Sequence, residues 1–119
     1  MSFPYHDGFW RRAADFVGKW AGRDERILAP DPFWWRFPRI YRYRHTILEP
    51  AADYDWAILH KGELDRLSRP VLDRIVRGRA VFANEVFVAW HSGERCAAID
   101  ERSPHLRAFF GRLGEPAGP

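Results

Sequence analysis

Apolar positions recur at helical spacing over residues 7–21, and polar side chains fill the positions between them. Phe9, Ala13 and Val17 fall on one face of such a helix, whereas Arg12 falls on the other. This periodicity predicts an amphipathic helix that packs against a core through one face. Asp7 stands where an N-cap side chain belongs, so we expect the helix to begin beside it.

Four short apolar segments predict β-strands, at residues 27–29, 54–59, 80–83 and 86–90. Short runs with abrupt polar ends are typical of strands that are covered on both faces of a sheet. Between the second and third strands, the apolar positions return to helical spacing. Pro70 suits the first turn of a helix, so the pattern predicts one turn at 63–67 and a helix at 69–77.

This order of helices and strands predicts an α/β fold. We expect a small Rossmann-like sandwich: a mostly parallel sheet of four or five strands, an antiparallel edge strand, and helices on the faces. The antiparallel strand follows a tight turn at Asn84-Glu85. The α/β domain is expected to span residues 1–93. Residues 94–119 form a C-terminal extension with a short helix at 104–113 and a frayed tail.

Segment 33–45 (FWWRFPRIYRYRH) combines bulky aromatic side chains with arginines. Its second half alternates, which predicts a strand over 39–45 near a sheet edge, followed by a loop at 46–53. One interpretation is an interaction surface that stacks bases or sugars and binds phosphate. The other is an edge strand whose arginines face water while its aromatic side chains pack inward. The candidate surface residues are Trp34, Trp35, Arg36, Arg42 and Arg44, and an exposed tryptophan pair would favour a protein partner or a homodimer.

Composition narrows the ligand class only slightly. The chain has 119 residues, of which 17 are Arg and two are Lys, and its net charge is +3. The arginine excess has two alternative explanations. One is coding bias, and the other is an arginine face that binds anions such as phosphate, carboxylate or an acidic glycan. The mild net charge makes nucleic acid an unfavoured partner.

Polar side chains follow three of the predicted strands. The first strand is followed by Asp31, the second by His60 and Lys61, and the third by Asn84 and Glu85. In open α/β sheets, ligands bind beyond the carboxyl ends of the strands, so these five residues are the candidate ligand-binding site. The alternative is that they are ordinary solvated loop starts.

Several kinds of chemistry have no motif in this sequence. The single cysteine, Cys96, excludes an internal disulfide, and the five His are too scattered to predict a metal site. The loop after the first strand has prolines and bulky side chains instead of glycines, so we expect no nucleotide cofactor. No evident nucleophile is present, and we name no catalytic residue. No apolar run is long enough to span a membrane, and we expect a cytoplasmic protein.

Three phrases in this order, ERILAPDPFWWRFP, DYDWAILHKGELDRL and AVFANEVFVAW, carry a resemblance. They resemble the small Rossmann-like module that accompanies FkbM-type sugar methyltransferases. They are also similar to the soluble C-terminal domain of bacterial lipid-linked glycosyltransferases. The resemblance implies a bacterial, glycan-related protein, but it transfers no catalytic residue, and the methyltransferase glycine loop is missing.

Three functions follow from these observations. The first is a non-catalytic binding or interaction module, accessory to glycan-modifying enzymes. The second is a small enzyme that acts on a sugar or nucleotide-sugar through His60 and Lys61. The third is a nucleic-acid binder that uses the arginine–aromatic segment.

Overall fold

One mixed sheet of five strands runs through the computed structural model, which describes residues 3–37 and 39–114. Its strands are β1 (Ile27–Leu28), β2 (Ile40–Tyr41), β3 (Trp56–His60), β4 (Arg79–Ala83) and β5 (Phe87–His91). Their order across the sheet is β2-β1-β3-β5-β4. β1 pairs in parallel with β2 and β3, whereas β5 pairs antiparallel with β3 and β4. The predicted α/β class is therefore confirmed, with a parallel core and antiparallel pairing toward the β4 edge. The antiparallel strand after Asn84-Glu85 is not itself the predicted edge strand, because β5 pairs on both sides and lies between β3 and β4.

The described residues form four α-helices beside the sheet: α1 (Gly8–Trp20), α2 (His45–Leu48), α3 (Arg69–Ile75) and α4 (Pro104–Gly114). The Asp7 carboxylate accepts a 2.9 Å hydrogen bond from the amide of Phe9, which confirms the predicted cap of α1. A 3₁₀ turn at Leu64–Arg66 precedes α3, close to the predicted turn and helix.

Both faces of the sheet are buried. Trp56 and Ile58 of β3 point into one core, together with Val17 of α1. Ala57 and Leu59 point into a second core on the opposite face. Successive strand residues point to opposite faces, so a strand covered on both sides must be apolar throughout. This explains the unbroken apolar run in the sequence of β3.

Residues 94–114 contribute to both cores. Cys96 is buried in the core on the α1 side, and Leu106 of α4 is buried in the other. The rings of Phe109 and Trp90 lie 5.6 Å apart. Residues 94–114, which the sequence sets apart as an extension, thus pack as part of the same α/β unit. The predicted frayed tail lies outside the described residues.

The predicted strand over 39–45 is wrong beyond Tyr41. The chain turns after β2 because the Tyr43 hydroxyl is buried beside β3, where it donates to the carbonyl of Ile58 (2.7 Å) and accepts from the amide of His60 (2.9 Å). The predicted loop is likewise wrong at its start, where α2 forms. The edge position is confirmed, since β2 is the outermost strand. Tyr43 packs inward while the neighbouring arginines are exposed, which supports the packing interpretation of this segment.

Candidate functional site

The strand register separates two ends of the sheet. At the carboxyl edge, β1, β3 and β4 end, and the chain continues into Asp31, into Lys61 after His60, and into Asn84-Glu85. At the opposite end, the amino edge, these strands begin and β5 ends. All five predicted ligand-binding residues therefore leave the sheet at one edge.

Lys61 and Asn84 are buried, and their polar atoms bond to the protein itself. The Lys61 ammonium donates a 2.7 Å hydrogen bond to the backbone carbonyl of Asn84. The Asn84 side chain donates to the carbonyl of Phe9 (3.1 Å) and accepts from the amides of Val86 (2.9 Å) and Phe87 (2.8 Å). Burial lowers the pKa of Lys61. These contacts fasten α1 and the β4–β5 turn to the sheet.

His60 is enclosed by aromatic rings. Its imidazole lies 5.8 Å from the Trp10 ring and 5.2 Å from the Phe87 ring, measured between centroids. The Nδ1 atom accepts a 2.9 Å hydrogen bond from the amide of Gly62. Burial lowers the pKa of His60, which favours the neutral ring. The Nδ1 lone pair is therefore already used within the chain.

Asp31 and Glu85 pair with other residues. Asp31 lies 3.7 Å from the guanidinium of Arg42, and Glu85 lies 3.9 Å from the imidazole of His105. Among the described residues, no hydrogen bond or ion pair joins Asp31 to His60 or to Glu85. The structure thus brings Lys61 and Asn84 together but does not join the five candidates into one polar cluster.

The five residues of the predicted interaction surface differ in exposure. Trp34 and Trp35 are 41% and 52% exposed, and their rings meet edge to face at 5.0 Å. Arg36 is partly buried and donates a 3.0 Å hydrogen bond to Asp15. Arg44 is exposed. Arg36 is thus held against α1. The tryptophan pair is the main apolar feature of this surface.

An open groove of about 580 Å³ lies at the amino edge. It is bordered by the residues just before β1, β3 and β4, by the end of β5 and by the end of α3. We name it the amino-edge groove. Its polar lining consists of Arg26, Asp53, Tyr54, Asp55, Arg74, Arg77, His91 and Ser92. Trp90 supplies part of the apolar lining.

Arg74 is held in place by the groove wall. Its guanidinium donates to the carbonyls of Pro50 (3.1 Å) and Ala52 (2.7 Å) and lies 3.5 Å from the Asp53 carboxylate. Arg74 therefore fixes the loop before β3. The N–H donors that bond to this loop are not free for a ligand.

Arg26 and Arg77 have no carboxylate partner within residues 3–37 and 39–114. The Arg26 guanidinium lies 5.7 Å from the centre of the Tyr41 ring. The Asp55 carboxylate accepts from the backbone amide of Arg26 (2.8 Å), not from its guanidinium. Arg77 is exposed next to Gly78, at the start of β4. Two guanidinium groups thus border one concave surface without an internal counter-ion.

Behind the groove lies a charged cluster centred on Glu25. Its carboxylate accepts hydrogen bonds from the Gly22 amide (2.6 Å), the Trp56 indole (3.1 Å) and the Arg95 guanidinium, and its Oε2 lies 3.3 Å from Nε2 of His91. Burial by itself raises the pKa of Glu25, but these hydrogen bonds outweigh it and lower the pKa to about 2. The cluster ties the chain before β1 to the end of β5.

The imidazole of His91 is fully engaged. Nδ1 accepts a 3.0 Å hydrogen bond from the amide of Gly93, which assigns the ring proton to Nε2. That proton points the Nε2 donor toward Glu25. His91 therefore orients structure at the groove and has no free nitrogen for proton transfer.

This groove was not predicted from the sequence, because strand pairing brings its residues together from separate parts of the chain. Arg26 stands in a charged connector, and Arg74 and Arg77 fall on the polar side of the helix predicted at 69–77, where solvent exposure is the ordinary expectation. The pairing of β1 with β3 and of β5 with β4 brings them together. The arginine excess indicated an anion site but not its position.

Two other kinds of site have no support in the described ranges. Among residues 3–37 and 39–114, no group of three or more His, Cys, Asp and Glu side chains is placed to hold a metal ion. No helix in the same ranges is long and apolar enough to cross a membrane.

No protein-family model matches the chain, and no curated protein or solved structure does so either. The resemblance to modules of polysaccharide enzymes therefore stays a prediction from the sequence.

Proposed function

We propose that the protein is a non-catalytic binding protein whose amino-edge groove holds a small anionic molecule. The observation that supports this most directly is the position of Arg26 and Arg77 on one groove, with no carboxylate partner among the described residues. Guanidinium groups bind carboxylate and phosphate through paired N–H donors, and they keep their charge at all physiological pH values.

The size of the groove agrees with a small ligand. A volume of about 580 Å³ lies within the range of about 300–1,000 Å³ that is usual for small-molecule sites. Acidic sugars and sugar phosphates are anions small enough to enter this groove. They are also the ligands that an accessory role beside glycan-modifying enzymes would require.

The enzymatic alternative has less support from the contacts. His60 uses Nδ1 to hold the amide of Gly62, and Lys61 is buried against the carbonyl of Asn84. At the groove itself, His91 is bonded at both nitrogens. A general base needs a free lone pair within reach of its substrate. In the neutral rings the acceptor nitrogen of His60 and that of His91 are already hydrogen-bonded, and the Lys61 ammonium donates to a backbone carbonyl.

The experiment is calorimetric titration with methyl phosphate and with a sugar phosphate, using the wild-type chain and two variants. Arg77→Gln should weaken binding at least fivefold, because it removes one of two uncommitted charges. Arg12→Gln is the control, since it removes an exposed arginine on the polar side of α1. Equal affinity in all three proteins would remove the groove from the proposal.

The tryptophan pair supports a second role as an interaction surface. Trp34 and Trp35 are about half exposed, which is unusual for adjacent large aromatic side chains and typical of contact surfaces. Sedimentation equilibrium should show self-association that Trp35→Ser weakens and Leu48→Ser, on exposed α2, does not. A monomer at all concentrations would exclude a homodimer through this pair.

A further inference from the structure

A second groove adjoins the amino-edge groove. It has a volume of about 730 Å³. Its lining combines the apolar side chains of Val76, Ile99, Leu106 and Phe110, after which we name it the apolar groove, with the charged side chains of Arg79, Glu94 and Glu101. Phe110 of α4 is 44% exposed there. An exposed phenylalanine beside further apolar side chains is a surface that favours an apolar occupant.

The two grooves share one wall. Arg77, Gly78, Trp90 and Ser92 line both of them. The guanidinium of Arg77, which has no carboxylate partner among the described residues, therefore borders both the apolar groove and the amino-edge groove. A single ligand that passes over Arg77 would contact both.

Trp90 adds an independent observation at this shared wall. Its side chain is 3% exposed, and its indole N–H has no acceptor among the described residues. A buried donor without an acceptor is costly, and most buried donors in proteins have a partner in the protein or in ordered water. Trp90 lines both grooves, whereas the other five tryptophans line neither.

We propose that the ligand is an amphipathic anion, with its charged head at Arg26 and Arg77 and its apolar tail along Phe110 in the apolar groove. This inference rests on the proposed function, since it names the chemical class of the molecule that the amino-edge groove binds. The amino-edge groove adds Arg26 to the shared Arg77, and the apolar groove adds Phe110 and Ile99, so a ligand with a charged and an apolar part contacts both grooves.

The test compares three probes by calorimetry: methyl phosphate, octyl phosphate below its micelle concentration, and octanol. Octyl phosphate should bind at least tenfold tighter than methyl phosphate, because only its tail removes apolar surface from water. Octanol should bind at least tenfold more weakly than octyl phosphate, because it lacks the charge.

Variants assign the two parts of the ligand. Phe110→Ser should weaken octyl phosphate about fivefold and leave methyl phosphate unchanged, whereas Ile47→Ser, at an exposed position of α2, should change neither. The indole N–H resonance of Trp90, assigned by Trp90→Phe, should shift more than the other five on addition of octyl phosphate.

Each outcome separates the two proposals. Equal affinity for methyl and octyl phosphate would overturn the amphipathic ligand and leave the anion site standing. Octanol binding as tightly as octyl phosphate would overturn the role of the charge. No binding of either phosphate would overturn both proposals.

Discussion

The Glu25 carboxylate and the His91 imidazole lie 3.3 Å apart, and both are largely shielded from solvent. Their contact links the connector before β1 to the last residue of β5, across the start of β3. The Trp56 side chain completes the link, since its indole donates to Glu25 and its ring lies 4.3 Å from that of His91. The amino edge is thus held by one acidic side chain that accepts several hydrogen bonds.

Glu25 should make the protein sensitive to acid. Its pKa is about 2 in the folded chain and has an ordinary value of 4.5 in an unfolded one. The unfolded state binds more protons between these values, so stability rises with pH across this window and is lost as pH falls from 5 toward 2. The contribution at neutral pH is about 3 kcal/mol. Glu25→Gln should lower the free energy of unfolding at pH 7 by about this amount, measured by urea denaturation.

The pH profile of the same variant gives the sharper test. Between pH 5 and 2, Glu25→Gln should show a flatter loss of stability than the wild type. Asp24→Asn, at the exposed neighbouring position, should keep the wild-type slope. An unchanged slope in Glu25→Gln would mean that another group causes the acid sensitivity.

Asn84 should be a structural residue rather than a ligand-binding one. Asn84→Ala leaves two amides and one carbonyl without this partner, so we expect a loss of about 3 kcal/mol in unfolding free energy. Asn84→Asp keeps the acceptor for both amides and should cost about 1 kcal/mol. Equal losses in the two variants would show that the hydrogen bonds to Val86 and Phe87 are not the stabilising ones.

Two glycines should respond to alanine in opposite directions. A Cβ atom at Gly78 would lie 3.1 Å from the carbonyl oxygen of Ile75 and 3.2 Å from that of His91, so backbone must move. Gly78→Ala should therefore destabilise the fold by about 1 kcal/mol. Gly111 in α4 has no atom within 4 Å of such a Cβ, and Gly111→Ala should stabilise by about 0.5 to 1 kcal/mol. Thermal unfolding measures the change in stability of both variants. A stabilising effect of Gly78→Ala, like that expected for Gly111→Ala, would contradict the packing around β4 and β5.

The strands and helices with strong periodicity could be predicted from the sequence, because burial on both faces leaves a continuous apolar run. The helix capped by Asp7 and the run Trp56–His60 are examples. The strand over 39–45 was wrong past Tyr41, because alternation alone does not reveal that the Tyr43 hydroxyl bonds to β3 and bends the chain. Long-range hydrogen bonds of this kind leave no local pattern.

The candidate site was less predictable than the fold. Strand ends predict Lys61 and Asn84 at one edge, but they do not reveal that the Lys61 ammonium bonds to the backbone carbonyl of Asn84 and that the Asn84 side chain bonds to α1. The arginines of the amino-edge groove come from a connector and from a helix end. Their proximity depends on strand order, which the local pattern around each of them does not specify.

The most direct test of the anion-binding groove is chemical-shift mapping of backbone amides with methyl phosphate at low ionic strength. The amide resonances of Arg77, Gly78 and Ser92 should shift together as methyl phosphate is added, and their shifts should saturate along one binding curve. Added salt should weaken this binding. Shifts confined to Lys61, Gly62 and Glu85 at the carboxyl edge, or no shifts at saturating phosphate, would contradict it.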